Sequence, residues 1–554
     1  MPAKTNTTAE TYETVVVGAA YLVRNILKKL DFVGVINEVL RHQPEIETTY
    51  GDLAQVIVVN RLAFQPVPLY ELGSWAAEQG LDRVFGLEAA WLDDDRLGAM
   101  LEGLAKHQVT IWSSVLQKAV NRFGIELSQL HSDTTSVYFE GQYEDEAGQP
   151  VGGGERVPLL VEGYNKDGQR HKVQFVLSLL VSQRVPVWYR PWDGNQTDEP
   201  VYLADLTALR QAILMPANTL LIGDRKLCTT QTMVTFCRQQ QWFLAPHPWT
   251  DTAKAVWWRT WQQLETGQLQ WQPVAYVSRN NAGKPAPKRP QYRVCEVPYT
   301  LQDTENPPGH PLRWVFVWSS DKAEREARQR DKAVQAGQAA LQRLSRLLGK
   351  YDYTDHRTIE LRLIKALQKA KASKYFTYSL SGSDEAQDWP LHWELHQALI
   401  TESERFDGLS LLCTNVPDQS LSAAEVMIKY KEQVRVEQTI DFIKSPIQIR
   451  PMWLHSPKRL AGLTLLIMIA VLVAALLEHQ VRRWIANTGQ LVQGLRPEGR
   501  DDPYPTAKAI LKAFQHYAVV IVRRGQRRQE IHHPKLRPVQ QQIWDVLGFD
   551  PLPP

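Results

Sequence analysis

The stretch Thr219–Ala245, TLLIGDRKLCTTQTMVTFCRQQQWFLA, decides the fold. It opens on a short apolar run, Thr219–Ile222, which ends at Gly223–Asp224. That run is too short for a helix and reads as a buried strand. Cys228–Gln240 then carries helical periodicity, and Trp242–Ala245 is a second apolar run. Strand, helix and strand in succession predict an α/β layer, with Asp224 where the first strand gives way to the helix.

Upstream, Leu127–Phe139 reads as a strand around Asp133, and Gly141–Gly154 as a Gly- and acid-rich turn region. His171–Ser182 and Val185–Arg190 read as two further strands, and Asp198–Leu214 as a helix. The order is β-β-β-α-β-α-β, which is the RNase H-like arrangement, with a buried central strand beside the first. Such placement brings Asp133 and Asp224, 91 positions apart, into one site.

Outside this core the pattern changes. Residues 15–126 read as helical, with three- and four-residue apolar spacing in Tyr21–Leu40, Leu53–Phe64 and Leu97–Leu104. Asp93, Asp94 and Asp95 read as an N-cap and first-turn acids rather than a metal site. Trp249–Trp318 shows β-like stretches at Val274–Ser278, Gln291–Val297 and Trp314–Trp318. Asp321–Lys350 and Asp355–Ala372 read as helices, and Phe406–Asn415 as a strand returning to the core. A helix Ala423–Lys444, stopped by Pro446, follows. The expected fold class is α/β: an RNase H-like mixed-sheet catalytic core interrupted by an insertion subdomain and preceded by an all-helical N-terminal domain. The expected boundaries are 1–126 for the helical domain, 127–248 and 406–480 for the two core parts, 249–405 for the insertion, and 481–554 for a basic C-terminal region.

Composition sets limits. A formal net charge of +3 over 554 residues places any nucleic-acid surface in local clusters, such as the tail Arg523, Arg524, Arg527, Arg528, Lys535 and Arg537. The four cysteines form no C-x-x-C pair and no zinc spacing, which favours a reducing, cytoplasmic setting. Most of the eighteen tryptophans are expected to pack. Leu460–Leu477 is 18 uncharged residues, long enough to cross a bilayer, yet isolated and rich in small residues. It reads as a buried core helix.

The remaining signal is Tyr430–Lys444, YKEQVRVEQTIDFIK. At about 100° per residue, Tyr430, Gln433, Glu437, Asp441 and Lys444 fall on one face. An aromatic, carboxylates and a lysine make a poor packing stripe. They suit a helix presenting a metal-binding carboxylate to a phosphate backbone. Asp441 is the rival to Glu437, and His131 reads as a satisfied strand residue rather than a ligand.

With Asp133, Asp224 and Glu437 in place, the chain resembles DDE transposases of bacterial insertion sequences, specifically the group with an insertion between the second Asp and the Glu. The resemblance rests on HSDTTSVYFEG (His131–Gly141), GYNKDGQ (Gly163–Gln169), DGNQTD (Asp193–Asp198), LIGDRKL (Leu221–Leu227), FDGLSLLCTN (Phe406–Asn415) and the Tyr430–Lys444 helix. The group's motif is Tyr, two residues, Arg, three residues, Glu, six residues, Lys; Gln433 stands at the Arg position. The resemblance implies two Mg²⁺ ions, replaceable by Mn²⁺, with Asp133 bridging, Asp224 on one ion and Glu437 on the other. It also implies contacts to double-stranded DNA, both transposon ends and target, from Tyr430, Gln433, Lys444, Arg225 and Lys226, and a homodimer on DNA. The implied activity is strand cleavage followed by strand transfer. The alternative is a catalytically silent DNA-binding descendant of such an enzyme.

Overall fold

The computed structural model describes residues 10–40, 48–139, 150–152, 155–163, 168, 172–278, 281–382, 388–444, 456–496, 501–524 and 528–552. Most of the expected Gly141–Gly154 turn, most of Gly163–Gln169, Pro446 and Arg527 lie outside the described residues. The chain divides into two compact units: Met1–Phe243 with Glu432–Pro554, and Leu244–Lys431.

The first unit is built on a mixed sheet. Strand Gln129–Tyr138 pairs antiparallel with Val173–Ser182, placing Asp133 opposite Leu179. On its other edge it pairs parallel with Leu220–Ile222, Gln129 opposite Leu220 and His131 opposite Ile222. Val173–Ser182 is buried along almost its whole length, as the near-continuous apolar run VQFVLSLLVS requires of a strand covered on both faces. It turns into Val185–Trp192 through Gln183 and Arg184, both at positive φ, the backbone that a two-residue hairpin of right-handed twist demands.

Two helices cover these strands. Glu199–Ala212 packs on Val173–Ser182 and Val185–Trp192, and Val434–Lys444 packs on Gln129–Tyr138 and Val173–Ser182.

The 32-residue helix Pro457–Thr488 is capped by Ser456, whose hydroxyl accepts from the Arg459 N–H, and ends at Gly489 in the left-handed region. Its most apolar window, 18 residues long, is 94% buried. The helix fills the space between helices Tyr50–Arg61, Asp94–Ala105 and Gln108–Phe123 and strand Val185–Trp192. This is the core-helix role read from sequence, and each buried Leu, Ile or Val contributes about 1.5–3 kcal/mol. Gly462 sets the approach to Asp94–Ala105: a Cβ there would lie 2.1 Å from the Leu101 carbonyl oxygen. Arg459 Nε donates to Glu102 at 2.8 Å across the same crossing. The N-terminal region is helical as expected, with one strand besides. Glu10–Val16 pairs antiparallel with Ala518–Arg524, which pairs with Arg528–His532.

In the second unit, antiparallel strands run in the order Gln272–Val274, Tyr292–Leu301, His310–Ser319, Leu409–Thr414 and Leu244–Pro246. Sequence reading missed the helix Asp251–Glu265, which opens on Thr250 accepting from the Ala253 N–H. Its tryptophans pack rather than pleat: Trp257 is buried against Trp261, Trp271 and Phe316. Helices Ser320–Ser345 and His356–Lys369 form a second apolar cluster around Leu341, Ile359, Leu363 and Trp389.

Candidate active site

The parallel pairing fixes where two carboxylates sit. His131 and Ile222 are opposite each other, and Asp133 and Asp224 each lie two residues further on. Asp133 keeps its strand position, and its Oδ1 accepts from the Thr134 N–H at 2.7 Å. Asp224 leaves the strand to cap the short turn Arg225–Leu227, accepting from the Lys226 N–H at 2.9 Å. Gly223 before it leaves room for a ring: a Cβ there would lie 3.3 Å from Tyr202 Cε1.

That ring belongs to a residue sequence reading did not single out. Tyr202, on helix Glu199–Ala212, is only 2% exposed, and its hydroxyl donates to Asp224 Oδ1 at 2.5 Å. Burial first, then the negative charges of Asp224, Asp198 and Asp133, push its phenol far above the ordinary range. One buried hydroxyl therefore lies within the field of three carboxylates. Asp198 was also missed, although it closes the DGNQTD segment. It is 5% exposed, accepts from Thr134 Oγ1 at 2.6 Å and pairs with Lys226 Nζ at 2.6 Å. Asp198 and Tyr202 are four residues apart, the helical spacing that would have joined them.

Glu437 arrives on helix Val434–Lys444, which packs on the Asp133 strand. Burial, then Asp133, then Asp441, raise its carboxyl above the usual range, so Glu437 and Asp133 are electrostatic neighbours. Asp441 and Lys444 lie on the same helix, with Asp441 exposed and Lys444 partly buried.

The expected continuous helix Ala423–Lys444 is broken. It forms as Ala423–Lys431 and Val434–Lys444, with Glu432 and Gln433 in a turn between them. The Arg435 N–H donates to the Glu432 carbonyl and the Val436 N–H to that of Gln433, a tighter i, i+3 pattern. The single face from Tyr430 to Lys444 is thereby lost, and Tyr430 belongs to the second unit.

The break also corrects the expectation that Gln433 faces DNA. Gln433 is 8% exposed; its Nε2 donates to the Ser132 carbonyl at 2.9 Å and its Oε1 meets His131 Nδ1 at 3.0 Å. Gln129 Nε2 completes the chain to His131 Nε2 at 2.8 Å and to Glu432 at 2.9 Å. These bonds require His131 neutral with its proton on Nδ1, so it is a satisfied strand residue, as read from sequence. An amide suits this place because it can donate and accept at once, which Arg cannot. Arg225 is exposed beside Asp224, whereas the Lys226 ammonium is held by Asp198.

The donor set is carboxylate oxygen, the chemistry that suits a hard divalent cation, at a place where burial and then Asp133 and Asp441 raise the Glu437 carboxyl. Among the described residues no three His, Cys, Asp or Glu groups close on one point to hold an ion.

Residues 133–473 match the family described as transposase DDE domain. The chain belongs to the DDE transposases. The match begins at Asp133 and ends within Pro457–Thr488, so it spans Asp133, Asp224 and Glu437. In this transposase residues 13–116 match a second family, a domain of unknown function called DUF4277, which takes in Tyr50–Arg61 and Asp94–Ala105, two of the helices packed on Pro457–Thr488. No curated protein is a match.

Proposed function

We propose that this family member cleaves and joins DNA strands at the ends of an insertion sequence, with Asp133, Asp224 and Glu437 as its catalytic carboxylates. The observation that supports the reading is the parallel pairing of Gln129–His131 with Leu220–Ile222, with Asp133 and Asp224 each two residues beyond a paired position and the helix bearing Glu437 packed on the Asp133 strand. Asp133 and Asp224 would hold one Mg²⁺, and Asp133 and Glu437 a second; Mn²⁺ would substitute. Bound there, the ions would lower the pKa of an attacking water or 3′-hydroxyl and offset charge on the leaving oxygen.

The chain's own residues set this up. Tyr202 and the Lys226 N–H fix one oxygen of Asp224 and leave the other for a ligand. Asp198, through Thr134, steadies the strand next to Asp133. Arg225, Lys444 and Tyr430 supply phosphate contacts to transposon end and target, while Gln433 supports the site from within. Strand transfer is assigned to a homodimer on DNA, in the cytoplasm, with residues 249–405 as an insertion in the catalytic core. The test is end binding and Mg²⁺-dependent cleavage of a DNA carrying the element's ends, in wild type and in Asp133→Ala, Asp224→Ala and Glu437→Ala. Lost cleavage with retained binding supports the assignment. Wild-type binding without cleavage would favour a silent DNA-binding descendant.

A further inference from the structure

Away from the carboxylates, the first unit contains a cavity of about 660 Å³, in the size range of small-ligand sites. It opens between the end of helix Tyr50–Arg61, the loop that follows, and helix Ala507–Ala513. Phe442, five residues beyond Glu437, contributes to its wall. The loop is held by buried Asn60, whose amide pairs with both the N–H and the carbonyl of Val67 at 3.1 Å.

Arg61 is the unexplained group. Arg61 is partly buried, its Nε is sealed from solvent without an acceptor, and no described carboxylate pairs with it. Burial alone lowers its pKa, with no opposing anion acting on it. A donor sealed from solvent without an acceptor is costly, and a guanidinium is built to grip phosphate or carboxylate in two-point fashion. Lys508, Lys512 and His516 line the same cavity at four-residue steps. Glu78 is the one carboxylate in the lining. The indole of Trp75 and the ring of Phe442 add flat apolar surface.

We propose that this cavity is a nucleotide-binding site, with the phosphate on Arg61, Lys508 and Lys512 at its mouth, and the base against Trp75 and Phe442. The shared chemistry is a phosphate joined to an aromatic base, which a DNA strand or a free nucleotide would supply. The site is independent of the carboxylates assigned to cleavage. Its wall through Phe442 nevertheless belongs to the helix that carries Glu437, so an occupied cavity braces that helix.

The test is calorimetric titration of the full chain, in EDTA, with deoxyadenosine monophosphate and with a short single-stranded oligonucleotide. Three variants are compared with wild type: Arg61→Met, the double change Lys508→Ser with Lys512→Ser, and Asp133→Ala. The first two should weaken binding at least about tenfold, the loss of one charge-assisted contact. Asp133→Ala should bind as wild type, which separates this result from any failure of the cleavage assignment. Arg61→Met should also melt no lower than wild type, since it removes a donor sealed without an acceptor. Binding of the monophosphate identifies a free nucleotide, and binding of the oligonucleotide alone identifies a DNA strand. Absence of binding by either probe, or wild-type affinity for both in the two cavity variants, overturns the proposal.

Discussion

Helix Glu199–Ala212 carries a buried carboxylate at each of two places, its leading end and its middle, and they fare differently. At the leading end Asp198 has a hydroxyl, Thr134, and an ammonium, Lys226, within 2.6 Å. In the middle Asp205 is fully buried, and neither of its oxygens has a partner at hydrogen-bonding geometry. Ser178, Trp188 and Arg190 favour its charge only enough to moderate burial, which pushes it up to about 7. The contrast shows that two equally deep acids can differ in what partners they have. Here the partners are gathered at the end of the helix that faces the proposed site.

The sharpest break of this comparison is at the site itself. Asp133→Ala, Asp224→Ala or Glu437→Ala should lower Mg²⁺-dependent cleavage by about 10³-fold or more, as removal of a core catalytic group does. End binding should stay near wild type, and near-normal cleavage by any one variant removes that residue from the assignment.

Asp205 gives the next effect. Its ordinary value is 3.8, so the folded state holds the proton to higher pH than the unfolded state. Its contribution to stability is therefore greatest below about pH 4, declines as pH rises towards 7, and stays low above. The span is about 4 kcal/mol. Asp205→Asn should remove this slope, gaining on wild type between pH 5 and pH 8 in urea unfolding. An equal difference at both pH values would place Asp205 among partnered acids like Asp198.

Gln433→Arg would install a charge at a buried position where the adjoining Glu432 already pairs with Arg435 and Gln129. It should cost about 2–4 kcal/mol of stability, read as a lower denaturation midpoint, with no gain in affinity for DNA ends. Tighter end binding at unchanged stability would return this position to the DNA face.

The smallest change, Tyr202→Phe, removes one hydrogen bond from Asp224. The Mg²⁺ concentration for half-maximal cleavage should rise about tenfold or less, the size of an effect exerted through a ligand. An unchanged requirement would mean that the phenol merely packs.

Periodicity made the core strands legible, because Val173–Ser182 and Leu220–Ile222 are buried runs with clear ends. It also placed Asp133 and Asp224 side by side. It was blind to the break at Glu432–Gln433, where the heptad-like spacing of Tyr430, Glu437 and Lys444 argues for one helix. The break is stabilised by Ser132 and His131, some 300 positions away in the chain, and no local window contains that information. Asp251–Glu265 was missed because no element was assigned between Trp249 and Val274, and the inward packing of Trp257 on Phe316 that holds it is tertiary.

The Gly462–Leu101 crossing ties the folding of the first unit to the order of synthesis. Helices Tyr50–Arg61, Asp94–Ala105 and Gln108–Phe123 leave the ribosome early with their apolar faces uncovered. The helix that covers them follows more than three hundred residues later, as the 357-residue separation of Glu102 and Arg459 records. Strand Val185–Trp192 waits for the same helix. A chain truncated before Pro457 thus lacks the centre of its core, so the first unit completes its packing only once this late helix has been made.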